Sequence, residues 1–196
     1  MNFRPALLIC CALSTLGAAF SPARASTEIV VSVADQKMVV LHNGLRVAQY
    51  PVSTSRFGVG DRPRSYATPL GSLMIASKVG AGAPLGAVFK GRVRTGEVLK
   101  PNALGRDPIV TRILHLRGLE AQNARAYGRG IYIHGTPQER LIGRPASFGC
   151  IRMRSKDVTR LFESVPVGTR VEIVNSPISR ALREIAADRR ALSKAS

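Results

Sequence analysis

Asn43-Gly44 stands between two runs of β-forming residues, Met38-Val39-Val40-Leu41-His42 and Leu45-Arg46-Val47-Ala48-Gln49-Tyr50. Both central residues of a tight hairpin turn must take positive φ, and Asn-Gly does so at little cost. The pair therefore commits this part of the chain to antiparallel β structure. Glu28-Ile29-Val30-Val31-Ser32-Val33 adds another β-branched run. Gly71–Ser77, Ile109–Leu116, Gly130–Gly135 and Arg170–Val174 have the same character. Helical signals are fewer. Leu119–Tyr127 reads as a short helix that Gly128 ends. Ser155 can cap a helix with Asp157 in its first turn, and Val158, Leu161, Phe162 and Val165 then share a core-facing side. Residues 54–70 read as a loop. Residues 78–108 read as a long connection rich in Gly and Pro, of the kind that serves as a lid or is disordered. The expectation is one mostly-β domain with few helices.

The chain has 196 residues, 45% of them apolar and 21% charged, a composition that excludes a wholly disordered polypeptide. Its one long apolar stretch is N-terminal, so a multi-pass membrane protein is excluded as well. Arg4, the run Ala6–Ala19 and Ala23-Arg24-Ala25 together read as an export signal with a small-residue cleavage site. The expected organisation is a signal peptide over 1–25, a domain over 26–175 and a basic C-terminal extension over 176–196. An uncleaved anchor is the alternative, though ~14 apolar residues is short for a span. A lipoprotein linkage through Cys10 or Cys11 is weaker, since Ile9 precedes Cys10 where a small residue is expected. In the extension, Ile178, Leu182, Ile185 and Leu192 fall on one side; the segment could dock on the domain, lie on a membrane or fray, and docking is the commonest outcome.

Removal of the signal leaves Cys150 as the sole cysteine, unable to form an internal disulfide. It is a passive buried thiol, an intermolecular link or a reactive nucleophile. The formal charge is +17, and about +15 once Arg4 and Arg24 leave. Such basicity suggests an anionic partner. Nucleic acid fits poorly with export, with scattered arginines (Arg62 and Arg64, Arg92 and Arg94, Arg152 and Arg154, Arg189 and Arg190) and with the absence of Trp. A carboxylate-rich cell-wall polymer fits better; a solvated basic surface is the plainer reading of each arginine alone. One cysteine and three scattered histidines offer no metal-ligand pattern, and no cofactor is implied.

His42 and His115 lie in strands and read as structural or surface residues. His134 ends a strand and is followed at once by Gly135; further on comes Ser147-Phe148-Gly149-Cys150-Ile151-Arg152-Met153. Gly149 lets the backbone bend sharply and lets a substrate approach Cys150 closely. A thiol of reference pKa ~8.5 is mostly protonated at neutral pH and needs a base. An imidazole can take the proton and later give it to a leaving amine, provided that an acceptor fixes its tautomer. Backbone N–H groups near Gly149 and Cys150 could hold an oxyanion. The residues thus allow Cys–His acyl transfer, although spacing alone is a modest signal.

Ile133-His134-Gly135-Thr136 followed by Ser147-Phe148-Gly149-Cys150-Ile151-Arg152-Met153 resembles the signature of the L,D-transpeptidases, the YkuD-type catalytic domain. Val31-Ser32-Val33, Asp35-Gln36, Asn43-Gly44, Tyr50-Pro51-Val52-Ser53 and Thr68-Pro69-Leu70-Gly71 are similar to its N-terminal part, and Ser155–Val174 to its closing helix and strand. The resemblance covers about residues 27–174. It implies a β-sandwich-like fold of mixed sheets. It implies that Cys150 attacks the bond between the L-centre of meso-diaminopimelate and a terminal D-alanine in a peptidoglycan stem peptide, with a thioester and a 3→3 cross-link as the outcome. The acceptor would be a second stem amine, a lipoprotein lysine, or water in a hydrolase; a non-catalytic wall-binding module is the remaining alternative. By position, His134 would be the base and the Gly135 carbonyl would orient its ring. Ser147, Gly149 and Arg152 would shape the pocket and oxyanion site, Arg152 by gripping a substrate carboxylate. Residues 78–108 would be a flap. Phe148 departs from the pattern, standing where a second histidine is usual; a tolerated packing change is the favoured reading, with pocket polarity and acceptor preference altered if it is not.

Overall fold

A computed structural model describes residues 26–195, and the expected signal segment lies outside them. The elements in chain order are β1 (Thr27–Ser32), β2 (Lys37–His42), β3 (Leu45–Pro51), β4 (Gly71–Val79), β5 (Ala87–Lys90), β6 (Val93–Val98), β7 (Ile109–Gly118), β8 (Tyr132–Gly135), β9 (Ile151–Met153), α1 (Ser155–Ser164), β10 (Arg170–Val174) and α2 (Ile178–Ala195). Single 3-10 turns occupy Ala121–Asn123 and Glu139–Leu141. The chain is mostly β.

The sheet runs β3-β2-β1-β10-β4-β7-β5-β6, and β8 joins β7 to β9. β1 is parallel to β10 and β8 to β9; the other pairs are antiparallel. The ladder then returns on itself. Just past β3, Ser53 bridges to Arg152 of β9, with Ser53 N–H to Arg152 O and Arg152 N–H to Ser53 O both 2.9 Å. Closure wraps the sheet around one main core. Successive strand residues point to opposite faces. Ile29 and Val31 of β1, Met38 and Val40 of β2, Leu73 and Ile75 of β4, Leu114 and Leu116 of β7, and Val171 and Ile173 of β10 enter that core. Val158, Leu161, Phe162 and Val165 of the α1 segment fill it from one end, the side anticipated from their spacing.

The opposite face of β1 and β2 is covered too. Val30, Val39 and Leu41 pack against Ala181 of α2, with Ile178, Leu182 and Ile185 partly buried around them. The C-terminal segment therefore docks. The hairpin turn is as expected, with φ of 51° at Asn43 and 81° at Gly44.

Three local expectations are corrected. Residues 78–108 are not one loop, because they contain the end of β4 and the β5–β6 hairpin, turned at Gly91 and Arg92 with φ of 58° and 69°. Residues 119–127 are not a helix beyond the single 3-10 turn. The buried Asn123 side chain donates to Leu70 O at 2.9 Å and Ser72 O at 3.0 Å and accepts from Glu120 N–H at 3.0 Å, which ties the segment to the start of β4. Ser155 does not cap α1. Arg154 holds that position without a side-chain bond; the Glu139 carboxylate accepts the Ser155 N–H at 2.8 Å, and the Ser155 hydroxyl accepts from Thr111 Oγ1 at 2.8 Å.

Candidate active site

β8 and β9 are short parallel neighbours in the register Ile133 to Ile151, His134 to Arg152 and Gly135 to Met153. Ile133, Ile151 and Met153 are fully buried in the core. Period-two alternation therefore puts His134 and Arg152 on the other face, together with Tyr132 and with Cys150, which immediately precedes β9. The turn before Cys150 is held by three hydrogen bonds from two side chains. Ser147 Oγ donates to Cys150 O at 2.6 Å and accepts Gly149 N–H at 3.2 Å, while Thr68 Oγ1 donates to Gly149 O at 3.0 Å. Gly149 has φ of +115°, and a Cβ there would stand 3.2 Å from both Ala67 O and Ile131 Cδ1. Only glycine suits that backbone and that space.

The His134 ring is buried, and Nδ1 lies 2.8 Å from Gly135 O. A carbonyl only accepts, so Nδ1 carries the proton and Nε2 keeps its lone pair. Burial holds the imidazole pKa down to about 4, against the opposing influence of the Gly135 carbonyl and Asp107. Cys150 is partly buried, and its thiol donates to Gly130 O at 3.4 Å. Burial pushes that thiol up to about 11, although the Tyr132 backbone and the Arg129 and Arg152 guanidinium groups favour the thiolate. Both groups are thus uncharged at neutral pH. Among the described residues the sulfur's hydrogen bond goes to the Gly130 carbonyl and not to the imidazole. The Nε2 lone pair of His134 is left as an acceptor for the thiol proton during reaction.

Arg152 is internal. It is 3% exposed, and its guanidinium is already engaged, Nη1 with the Asp107 carboxylate and Nη2 with Ser53 Oγ at 3.0 Å. It has no free fork to offer a substrate. Gly149 N–H is likewise spent on Ser147, whereas Cys150 N–H makes no hydrogen bond among the described residues.

Sequence reasoning missed several residues around the sulfur. Arg129 pairs with Asp61 at 2.6 Å and donates to Gly60 O at 3.1 Å and Ala67 O at 2.7 Å, fixing the 60–67 loop beside the carbonyl that receives the thiol. Asp107, Ser53, Thr68 and Tyr132 were missed as well. Partners separated by scores of residues leave no spacing signal. Asp61 and Asp107 had a composition cue, being two of only 12 acids in a chain with 29 Lys and Arg. His115 is buried next to Tyr132, ring centroids 4.7 Å apart, with Nε2 3.0 Å from Tyr127 O and its ring stacked on Tyr127 at 4.0 Å. His42 is exposed, 3.1 Å from Thr27 Oγ1.

Phe148 is 57% exposed at the rim. Its ring meets Phe57 at 5.4 Å and Tyr66 at 5.8 Å, and the Arg56 guanidinium lies 4.4 Å from its centroid. These contacts give the rim an aromatic wall where an imidazole would have been polar.

Residues 26–173 match the family model YkuD, the L,D-transpeptidase catalytic domain, and the chain belongs to that family. YqjB of Bacillus subtilis is 44% identical over 72 residues, 37% of this chain and 38% of the relative. YbiS of Escherichia coli is 49% identical over 51 residues, 26% of this chain and 17% of the relative. Both carry provisional L,D-transpeptidase names, and in both the match spans well under half of the relative's length. Among solved structures, an L,D-transpeptidase from Xylanimonas cellulosilytica superposes with a TM-score of 0.50 at 18% identity, covering 79% of this chain and 63% of the other. The Ldtfm–avibactam carbamoyl enzyme gives 0.50 at 19%, covering 78% and 50%. At such identities the likeness speaks for the fold.

Proposed function

We propose that the protein is exported and acts as a peptidoglycan L,D-transpeptidase with Cys150 as nucleophile and His134 as base. The observation that carries this reading is the placement of both groups on one face of the β8–β9 pair, with the imidazole pinned through Nδ1 so that Nε2 is the proton acceptor. The partners are two stem peptides, a donor and an amine acceptor, with a lipoprotein lysine as another acceptor of the same chemistry.

The donor's scissile carbonyl, on the L-centre of meso-diaminopimelate, displaces the thiol from Gly130 O. Sγ bonds to the carbonyl carbon as its proton passes to His134 Nε2. With the thiol near 11 and the imidazole near 4, this transfer belongs with carbon–sulfur bond formation and not with a standing ion pair. The Cys150 N–H faces the developing oxyanion. Collapse breaks the C–N bond, the imidazolium gives its proton to the departing D-alanine amine, and a thioester remains. An acceptor amine then loses a proton to Nε2, attacks the thioester, and restores the thiol.

Muropeptides incubated with the protein lacking residues 1–25 test this by product mass. The reading expects cross-linked dimer and free D-alanine, both lost in Cys150→Ala. Tripeptide without dimer would assign a hydrolase instead, and no change in any muropeptide would sink the catalytic reading.

A further inference from the structure

We propose that Asp107 is a positioning residue that clamps the two motif strands together and offsets the buried charge of Arg152 beside His134. The inference rests on the acyl-transfer reading for its kinetic consequence, though not for its geometry.

One Asp107 carboxylate oxygen accepts from Thr136 Oγ1 at 2.5 Å, and the other meets Arg152 Nη1. Thr136 lies two residues after His134, and Arg152 two residues after Cys150. A single carboxylate therefore ties the exit of β8 to β9, at matching distances from the base and the nucleophile. It comes from the segment between β6 and β7, which docks independently on the stretch after β8. Asn102 N–H donates to Pro137 O at 2.5 Å, and Asn102 Oδ1 accepts Arg140 N–H at 2.9 Å. Arg152 needs such a partner. It is almost fully buried, and its Nε has no hydrogen-bond partner. A buried cation stripped of its counter-ion is costly.

The charges that face the two reacting groups are few. Asp107 and Arg152 act on the imidazole; Arg129 and Arg152 act on the thiol, with the Tyr132 phenol nearby. Without Asp107 the positive charge of Arg152 is unopposed. Imidazolium formation becomes harder, and the thiolate becomes easier to form. Misplacement of a reacting group by about 1 Å costs about 10²-fold in rate. Loss of the clamp is therefore read in kcat more than in KM.

The test uses Asp107→Asn, Asp107→Glu and Thr136→Val, each checked by thermal melting, with two readouts. The first is kcat and KM on muropeptides; the second is the pH dependence of Cys150 alkylation by iodoacetamide, which needs no turnover. Asp107→Asn is expected to lose about 10²-fold in kcat with KM little changed and to move the alkylation profile to lower pH. Asp107→Glu should recover part of both, and Thr136→Val, which keeps the ion pair, should lose kcat while leaving the profile in place. If Asp107→Asn fails to fold, Asp107→Glu and Thr136→Val decide the matter by the same criteria. Folded variants with unchanged kcat and an unshifted alkylation profile would overturn the proposal. So would a loss of kcat that follows only the loss of melting temperature. If the unmodified protein leaves muropeptides untouched, the transpeptidase reading fails, and the alkylation profile still decides on the clamp.

Discussion

A thiol raised to about 11 and an imidazole lowered to about 4 bind their protons in a way that alkylation and unfolding both report. Iodoacetamide reacts with the thiolate, so the labelling rate of Cys150 should rise about tenfold per pH unit from neutrality toward 10. A rate that levels off below pH 8 would contradict the neutral resting pair. The His134 shift has its own consequence. The unfolded chain takes up this proton near pH 6.5 and the folded chain only near 4, so in that window the unfolded state holds more protons. Stability from the neutral buried ring is complete above pH 6.5 and falls as pH drops toward 4, by ~3 kcal/mol in all. Denaturant melts of the protein and of His134→Gln across this window should diverge accordingly; parallel curves would count against the burial. At this scale the sequence displayed His134 and Cys150 plainly, each beside a glycine and within recognisable motifs. It could not display the use of Arg152. Whether a guanidinium grips substrate or a carboxylate 45 residues upstream is settled by tertiary contact, which motif spacing does not encode.

The strands of the first hairpin carry unbroken apolar runs, Ile29-Val30-Val31 and Met38-Val39-Val40-Leu41, where a half-exposed sheet would alternate. Docked α2 supplies the reason, since both faces of β1 and β2 are covered. Leu41→Ala should then cost ~2–5 kcal/mol in the full chain. In a chain ending at Pro177 the same replacement should cost far less, because Leu41 would already face water. Equal costs in the two backgrounds would show that α2 does not cover this face. Elements with a buried side were legible: β1, β2, β7, β8, β10 and α1 all announce themselves by apolar spacing. The β5–β6 hairpin was not. β6 is exposed along most of its length and so carries no alternation, and its turn is Gly91-Arg92 where Asn-Gly would have been obvious.

Taken whole, the molecule is a closed β ladder whose parallel β8–β9 seam presents the site, inside a strongly basic chain. Among the described residues no helix is long and apolar enough to cross a membrane. Arg62, Arg64, Arg92 and Arg94 are exposed, whereas Arg152 is internal. A surface of this kind should hold an anionic wall polymer by charge. Retention of Cys150→Ala on isolated sacculi is expected to weaken as salt rises from about 0.05 M to about 0.5 M, where the screening length shrinks to a few ångströms; salt-independent retention would point to another mode of attachment. Central to the proposed reaction is a covalent bond between Cys150 and the donor. Intact-protein mass spectrometry after brief mixing with a tetrapeptide donor should find a species heavier by the donor less D-alanine, and peptide mapping should place it on Cys150. Turnover of the donor with no acyl group at that sulfur, or undiminished turnover by Cys150→Ala, would contradict it.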